Sequence, residues 1–472
     1  MNPFDAASPF DSRYYFADEE FFQRLNPYVS ELAHLKYMAQ VEAAIAITLQ
    51  EFQVCPAEAT AEISRAAESI DPEEVYQEEQ RIQHNVRALV NCICRKISPS
   101  ARPYVHLFAT SADVMDTARA LALKEVTEKV VIPDLVALMH LLIDLAERTA
   151  HIPQMGRTHG QHAVPITFGF ALSLYISRVG QRIDVIHKAS ENLRGKFAGA
   201  VGAYNALTLY KPEHPEIIEA YLMRHLGLRP PEISNQVAQP EYITDYIYAL
   251  ASCWGIFANI ADDFRNLQRS EIGEILDRKA SDPSAATVGS STMPHKVNPK
   301  DFENVKSFWK AYMPRLFTVL MDQITEHQRD LTNSASGRFV TEFVTAFAYG
   351  IRRLHQALAN VEPNVSRMKE LLEQGKDPIA AEPLYIALAL AGHPEAHEAA
   401  RVMARKARAS GKPFLQIAQA EPDLQVYLDK ITDRQRAVVE DPATYVGASK
   451  QRTLDICAQW RQKLSNLTTA EL

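Results

Sequence analysis

Glycine is scarce in this chain. There are 17 in 472 residues, roughly half the usual ~7%, while Ala, Leu, Glu and Gln abound. That balance favours helix throughout. Segments that alternate with period two are few and short, so no sheet is expected. Residues 29–53 place Leu32, Leu35, Met38, Ala39, Ala46 and Leu49 at three- and four-residue steps, as an amphipathic helix requires. A second such stretch ends near Lys96. After the breaker SPSARP the character changes, and the segments 112–150, 165–205, 240–275, 302–327 and 339–362 read as long helices with little punctuation. Such lengths are too great for one small globule and suit an extended bundle. Residues 363–472 carry shorter helices broken by GKDP, GHPE, SGKP and EDPATYVG. The expectation is an all-α fold of three helical domains: an N-terminal domain over 1–108, a central long-helix bundle over 109–362, and a small C-terminal domain over 363–472. Apolar residues of the bundle fall on more than one helix face, which points to self-association.

Bulk properties narrow the function. The length corresponds to roughly three domains at about 150 residues each. Formal charge is −8, from 50 basic and 58 acidic residues, with no block of like charges and no basic stripe. A dedicated nucleic-acid or membrane-surface protein is therefore not expected, whereas small anions can still bind local Arg and Lys clusters. The start of the chain lacks a basic segment followed by an apolar one, and no apolar run reaches eighteen residues. A cytoplasmic location is the expectation. Five scattered cysteines (Cys55, Cys92, Cys94, Cys253, Cys457) lack zinc-site spacing, so reduced thiols, no metal and no cofactor are expected.

Polar stretches marked by Gly or Pro interrupt this helical background at a few places. FATSADVMDTA (108–118) reads as a helix start, with Thr110 or Ser111 satisfying free N–H groups and Asp113 favouring the positive end. The same donors could hold a carboxylate. MGRTHGQHAVPITFG (155–169) gathers Arg157, Thr158, His159 and Gln161 at a loop before a long helix. Its two histidines lack a third metal ligand at helical spacing. GSSTMPHKVNP (289–299) is either a solvent linker or a ligand-binding loop. A linker would more naturally be built from Gly, Ser and acidic residues than from Met-Pro-His-Lys-Val-Asn-Pro.

Together and in this order, TSxD, GxTHGQ and GSSxMPxKxNP resemble the fumarase/aspartase superfamily, whose members eliminate fumarate from a succinyl compound. The resemblance spans nearly the whole chain. Within that superfamily the sequence is similar to the adenylosuccinate lyase family: DSRYY matches an Arg-Tyr pair, NQVAQPEY carries a glutamine at Gln236, LQRSEIGE matches a bundle helix, and PKDFEN and QRDLTNSASGR also fit. The resemblance implies β-elimination of fumarate from adenylosuccinate, giving AMP, and from the succinylated carboxamide ribotide of purine synthesis. It also implies a homotetramer with sites shared between subunits, and no cofactor.

By the same resemblance, Ser290 is the base and Ser291 holds a carboxylate. A serine can act so only if fixed positive charge and backbone N–H groups stabilise its ionised form. Lys296 and Asn298 serve the base and the dianion that forms. His159 is the general acid toward the departing nitrogen, assisted by His84 with Glu303. Thr110, Ser111, Thr158 and Asn304 hold carboxylates or the leaving group. Arg13, Tyr14, Gln236, Arg329, Ser334 and Arg338 hold the nucleotide, since planar, always-charged guanidinium groups suit a phosphate. Three positions depart from the family pattern. Asn85, also assigned to substrate binding, follows His84 where the Asp of a His-Asp pair is usual, Ala198 replaces a Ser or Asn, and QPEY lacks a charged pair. Such changes leave two rivals open: a sister lyase acting on argininosuccinate or another succinylated amine, and a non-catalytic structural homologue.

Overall fold

The computed structural model describes residues 5–281, 292–293 and 295–469, and these form two compact units. The first comprises 1–135, 181–257 and 307–352, the second 136–180, 258–306 and 353–472. Each dividing point falls inside a helix: Ile132–Arg148, Phe168–Glu191, Glu241–Leu267, Lys300–Tyr312 and Val340–Ala359. The fold is mainly helical, as glycine scarcity predicts.

The helix expected over 29–53 runs from Glu31 to Glu51, with Ser30 capping it by accepting the Ala33 N–H at 3.1 Å. Leu35, Met38, Ala39, Ala46 and Leu49 are buried, whereas Leu32 is 43% exposed and does not belong to the core face. The segment expected over 112–150 is interrupted by a π-turn at Thr127–Val131, where the Ile132 N–H reaches back five residues to the Thr127 carbonyl. Pro133 explains the interruption: it lacks an N–H, and its ring would clash with the carbonyl four residues earlier in a regular helix. Pro314 likewise divides the segment expected over 302–327 into helices Lys300–Tyr312 and Pro314–Met321.

Two departures have a different origin. Small two-stranded antiparallel sheets are present, one pairing Pro153–Thr158 with Gln161–Thr167 and one pairing Ile275–Asp277 with Val361–Pro363. The long helix expected over 165–205 covers only Phe168–Glu191. Beyond it, residues 192–204 form an irregular segment in which Gly199 and Gly202 have φ of 79° and 77°, values that L side chains rarely adopt.

The core of the first unit is aromatic. Trp254, fully buried, stacks on Tyr312 at 5.8 Å and meets Phe343 edge-on at 5.5 Å, arrangements that add about 0.5–1.5 kcal/mol per pair beyond area burial. In the second unit, helix Ser449–Thr469 lays Trp460 against Gly180, where a Cβ would stand 2.5 Å from the indole ring. Residues 380–439 of that unit form a separate apolar cluster around Leu384, Leu388 and Phe414.

His106 and Glu42 form a pair in the first unit. The Glu42 side chain is fully buried and accepts the His106 backbone N–H at 3.1 Å, while its other oxygen lies 2.6 Å from Nδ1. Burial opposes protonation of His106, but the Glu42 hydrogen bond and charge outweigh it and raise its pKa above the ordinary value. The stability from this pair is therefore fully present below about pH 6.5, the unfolded value, and is lost as pH rises through the folded value. Urea denaturation of wild type and His106→Gln should show a stability difference that shrinks as pH is raised above 6.5. A pH-independent difference would contradict it.

Candidate active site

Helix Ser111–Val126 starts where the backbone leaves an extended residue, Thr110, whose N–H donates to the Asp113 carboxylate at 2.8 Å. Asp113 is fully buried. It also accepts the N–H groups of Ala198 at 3.1 Å and Gly199 at 3.2 Å, and it pairs with the Lys196 ammonium, equally buried. Thr117, one turn along, accepts the Lys196 N–H at 2.9 Å and donates to its carbonyl at 3.1 Å. Gly195 is required here, since a Cβ would lie 2.6 Å from the Met223 sulfur and 2.8 Å from Thr117. From the other side, buried Glu219 accepts the Phe197 N–H at 2.6 Å and the Tyr204 hydroxyl. Burial pushes the Glu219 carboxyl upward, against the pull of those hydrogen bonds. The irregular segment after residue 192 thus spends its N–H groups on two buried carboxylates and locks the Thr110–Ser111 helix start in place. Ala198, one of the departures from the family pattern, contributes only its backbone.

His84 caps helix Asn85–Arg95: its Nδ1 accepts the Arg87 N–H at 3.2 Å. That bond leaves the proton on Nε2, which lies 3.5 Å from the Ser111 hydroxyl. Asn85 turns its amide toward the Met115 sulfur at 3.5 Å and its carbonyl oxygen toward the Val86 N–H at 2.8 Å. The segment carrying Gln236 is fixed at both ends: the Ala238 N–H donates to Asp116 at 3.0 Å, and the Gln236 N–H to the Gln328 carbonyl at 3.4 Å. These pieces enclose one cavity of about 680 Å3 in the first unit. It brings together His84, Asn85, Thr110, Ser111, Gln236, Arg329, Ser334 and Arg338. Asp116 also lines it. Burial raises the Asp116 carboxyl above its ordinary range, although Arg119, the Ala238 N–H, Lys196 and Arg329 all act to lower it.

Other predicted residues lie elsewhere. His159 and Gly160, with φ of 54° and 73°, form the two-residue turn of the hairpin Pro153–Thr158/Gln161–Thr167 in the second unit. Where the motif reads as a loop, the structure has strands, because positive φ at both turn positions matches the strand twist. Thr158 and His159 are exposed at the tip. Arg157, beside them, is committed to Glu274 by two bonds of 2.9 Å, and Gln154 adds a third donor at 2.8 Å, so it braces the hairpin. Glu303 is exposed and Asn304 half-buried on helix Lys300–Tyr312, where Asn304 accepts from Arg353 at 3.2 Å. Lys296 and Asn298 precede that helix, Lys296 exposed. Ser290 and Ser291 lie outside the described residues. Arg13 is exposed, and the Tyr14 ring packs on Phe308 at 4.9 Å and Tyr349 at 5.4 Å. Among the described residues, no three His, Cys, Asp or Glu side chains are grouped to hold a metal.

The family model described as Lyase matches residues 13–310, and the adenylosuccinate lyase C-terminal model matches residues 325–435. Adenylosuccinate lyase of Pyrococcus horikoshii is 33% identical over 94% of this chain and 96% of its own length. The chain belongs to the adenylosuccinate lyase family. The corresponding protein of Methanothermobacter thermautotrophicus is 32% identical over 90% of this chain and 94% of its own. Among solved structures, 3-carboxy-cis,cis-muconate lactonizing enzyme from Pseudomonas putida superposes with a TM-score of 0.80 at 24% identity, covering 95% of this chain and 99% of that one. Fumarate lyase from Mesorhizobium sp. BNC1 gives 0.80 at 20% identity, covering 92% and 97%. These two likenesses concern the fold alone. The adenylosuccinate lyase C-terminal match includes Arg329, Ser334 and Arg338.

Motif reading missed the supports of the site. Asp113 was legible as a helix-start acid and as the acid of TSxD but not as a buried support, and Lys196, Glu219 and Asp116 carried no signal beyond being charged residues in apolar surroundings. Removing one partner of a buried pair leaves the other charge uncompensated. Lys196→Met should therefore lower unfolding stability by about 3 kcal/mol or more, measured by urea denaturation. An unchanged midpoint would show that the pair does not hold the site.

Proposed function

We propose that this chain is an adenylosuccinate lyase that eliminates fumarate from adenylosuccinate, leaving AMP, and that it acts likewise on the succinylated carboxamide ribotide of purine synthesis. What carries the reading is one observation. Eight residues predicted from separate motifs line a single cavity, within a chain of this family.

In the proposed reaction the Ser290 oxygen takes a proton from the carbon next to a succinyl carboxylate. The electron pair spreads into that carboxylate as a dianion, a species stabilised by fixed donors such as Lys296, Asn298, Ser291 and the Thr110–Ser111 helix start. The carbon–nitrogen bond then breaks with its pair going to nitrogen, and His159 supplies the proton. His84, with its proton on Nε2 toward Ser111, is an additional donor at the carboxylate end. Glu303 stabilises charge, and Thr158 and Asn304 hold a carboxylate or the leaving group. Arg13, Tyr14, Gln236, Arg329, Ser334 and Arg338 hold the nucleotide.

The homotetramer belongs to this reading. So does the division of the chain into domains 1–108, 109–362 and 363–472, and so does a cytoplasmic location. No helix among the described residues is long and apolar enough to cross a membrane. Exposed apolar side chains such as Leu174 and Tyr248, each 58% exposed on long helices, support self-association. Light scattering should give the mass of four copies, and a monomer would contradict a shared site.

The assay is ultraviolet detection of fumarate release from adenylosuccinate by purified protein. Wild type should turn over, and Ser290→Ala and His159→Ala should each lower kcat by on the order of a hundredfold or more. Release from argininosuccinate instead would favour the sister lyase, and no release from either would favour a silent homologue.

A further inference from the structure

The cavity described above shares a wall with a second one of about 370 Å3, also within the first unit. His34, Asn85, Arg119, Gly337 and Arg338 line both. Arg119 belongs to none of the sequence motifs. Its place follows from helix geometry, because Ser111, Met115 and Arg119 recur at every fourth residue and so share a helix face. All three line the first cavity. Eight residues at 1.5 Å each put Arg119 about 12 Å along the axis from Ser111. That is the scale on which an extended purine nucleotide separates a substituent on its base from its 5′-phosphate.

Charge points the same way. Arg119, Arg329 and Arg338 line this cavity together with Glu79, Asp116 and Asp322, and none of the three guanidinium groups makes a hydrogen bond or ion pair among the described residues. A guanidinium keeps its charge and five donors at any working pH, so these three, half-buried at Arg119 and Arg329 and exposed at Arg338, have donors available to an anion entering the concavity. Asp116 forms no ion pair with them. Its Oδ2 accepts the Ala238 N–H, and its influence on Arg119 and Arg329 acts through space. Arg119 lies against Gly337, with its Nη1 3.5 Å from where a Cβ would stand, one residue before Arg338. His34 lines both cavities with them: its pKa is lowered by burial first, then by Arg119 and, more weakly, by Arg338, with Glu31 opposing.

We infer that Arg119 is a substrate-contact residue: together with Arg338 it grips the 5′-phosphate of a nucleotide whose succinyl carboxylates sit at the Thr110–Ser111 helix start. The inference rests on the lyase reading and adds to it a guanidinium supplied by the same helix that holds the other end of the substrate. One rigid helix then measures the substrate's length. Two guanidinium groups on a phosphate dianion give parallel charge-assisted hydrogen bonds that an ammonium cannot fully reproduce.

The test uses full-length Arg119→Ala, Arg119→Gln and Arg119→Lys, with fumarate release from adenylosuccinate and inhibition by AMP and by adenosine, which lacks the phosphate. Arg119→Ala should raise KM for adenylosuccinate and Ki for AMP by about tenfold or more while kcat stays within about threefold, the pattern of lost uniform binding. Inhibition by adenosine should be unchanged. Arg119→Lys should recover part of the loss and Arg119→Gln little of it, so that a folding defect in the alanine variant does not decide the matter. An AMP Ki within twofold of wild type, or equal weakening of AMP and adenosine, would overturn the inference. Absence of turnover by wild type would instead refute the lyase reading, and calorimetric binding of AMP against adenosine would still decide the role of Arg119.

Discussion

The Asp113 carboxylate holds the candidate site together. It accepts three backbone N–H groups and the Lys196 ammonium while fully shielded from water. Taking such a charge out of water costs several kcal/mol, which only complete hydrogen bonding offsets. The arrangement therefore tolerates little displacement, and that intolerance is useful. It fixes the first residues of helix Ser111–Val126, and through them the Ser111 hydroxyl and the His84 ring. It also forces residues 195–199 out of helix, so the chain passes from a bundle helix into a turn that borders the cavity.

The long-helix character was legible in the sequence because glycine scarcity and apolar periodicity report directly on backbone preference. Helix Glu31–Glu51 follows its pattern within two residues at each end. The breaks at Pro133 and Pro314 and the turn after Glu191 were less legible. A periodic pattern continues across a proline or a π-turn, and what ends the helix at 191 is a pair of carboxylates distant in sequence, Asp113 and Glu219. The hairpin at 153–167 was hidden for a related reason: it is small, and its turn residues, His159 and Gly160, read as loop.

The site divides in the same way. Residues marked by hydroxyl, glycine and histidine in unusual local patterns, such as Ser111, His84 and Arg338, could be singled out and do line one cavity. Asp116 and Arg119 sit in the middle of a regular helix and carry no local signal. Only the folded helix face, which sets them beside Ser111 and Met115, shows what they border. His159 and the residues from Lys296 to Asn304 belong to the second unit, and their meeting with the cavity is part of the proposal that several copies build one site. The guanidinium groups of Arg119, Arg329 and Arg338, which pair with no carboxylate among the described residues, are the feature that connects the two levels. An anionic nucleotide with carboxylates at one end and a phosphate at the other supplies the acceptors that these groups lack within the protein.

A crystal structure of the protein with AMP and fumarate bound tests this most directly. The account predicts fumarate at the Thr110–Ser111 helix start and the AMP phosphate within hydrogen-bonding distance of Arg338 and Arg119. Nucleotide density outside the cavity, or inside it with the phosphate turned toward Ser111, would contradict it.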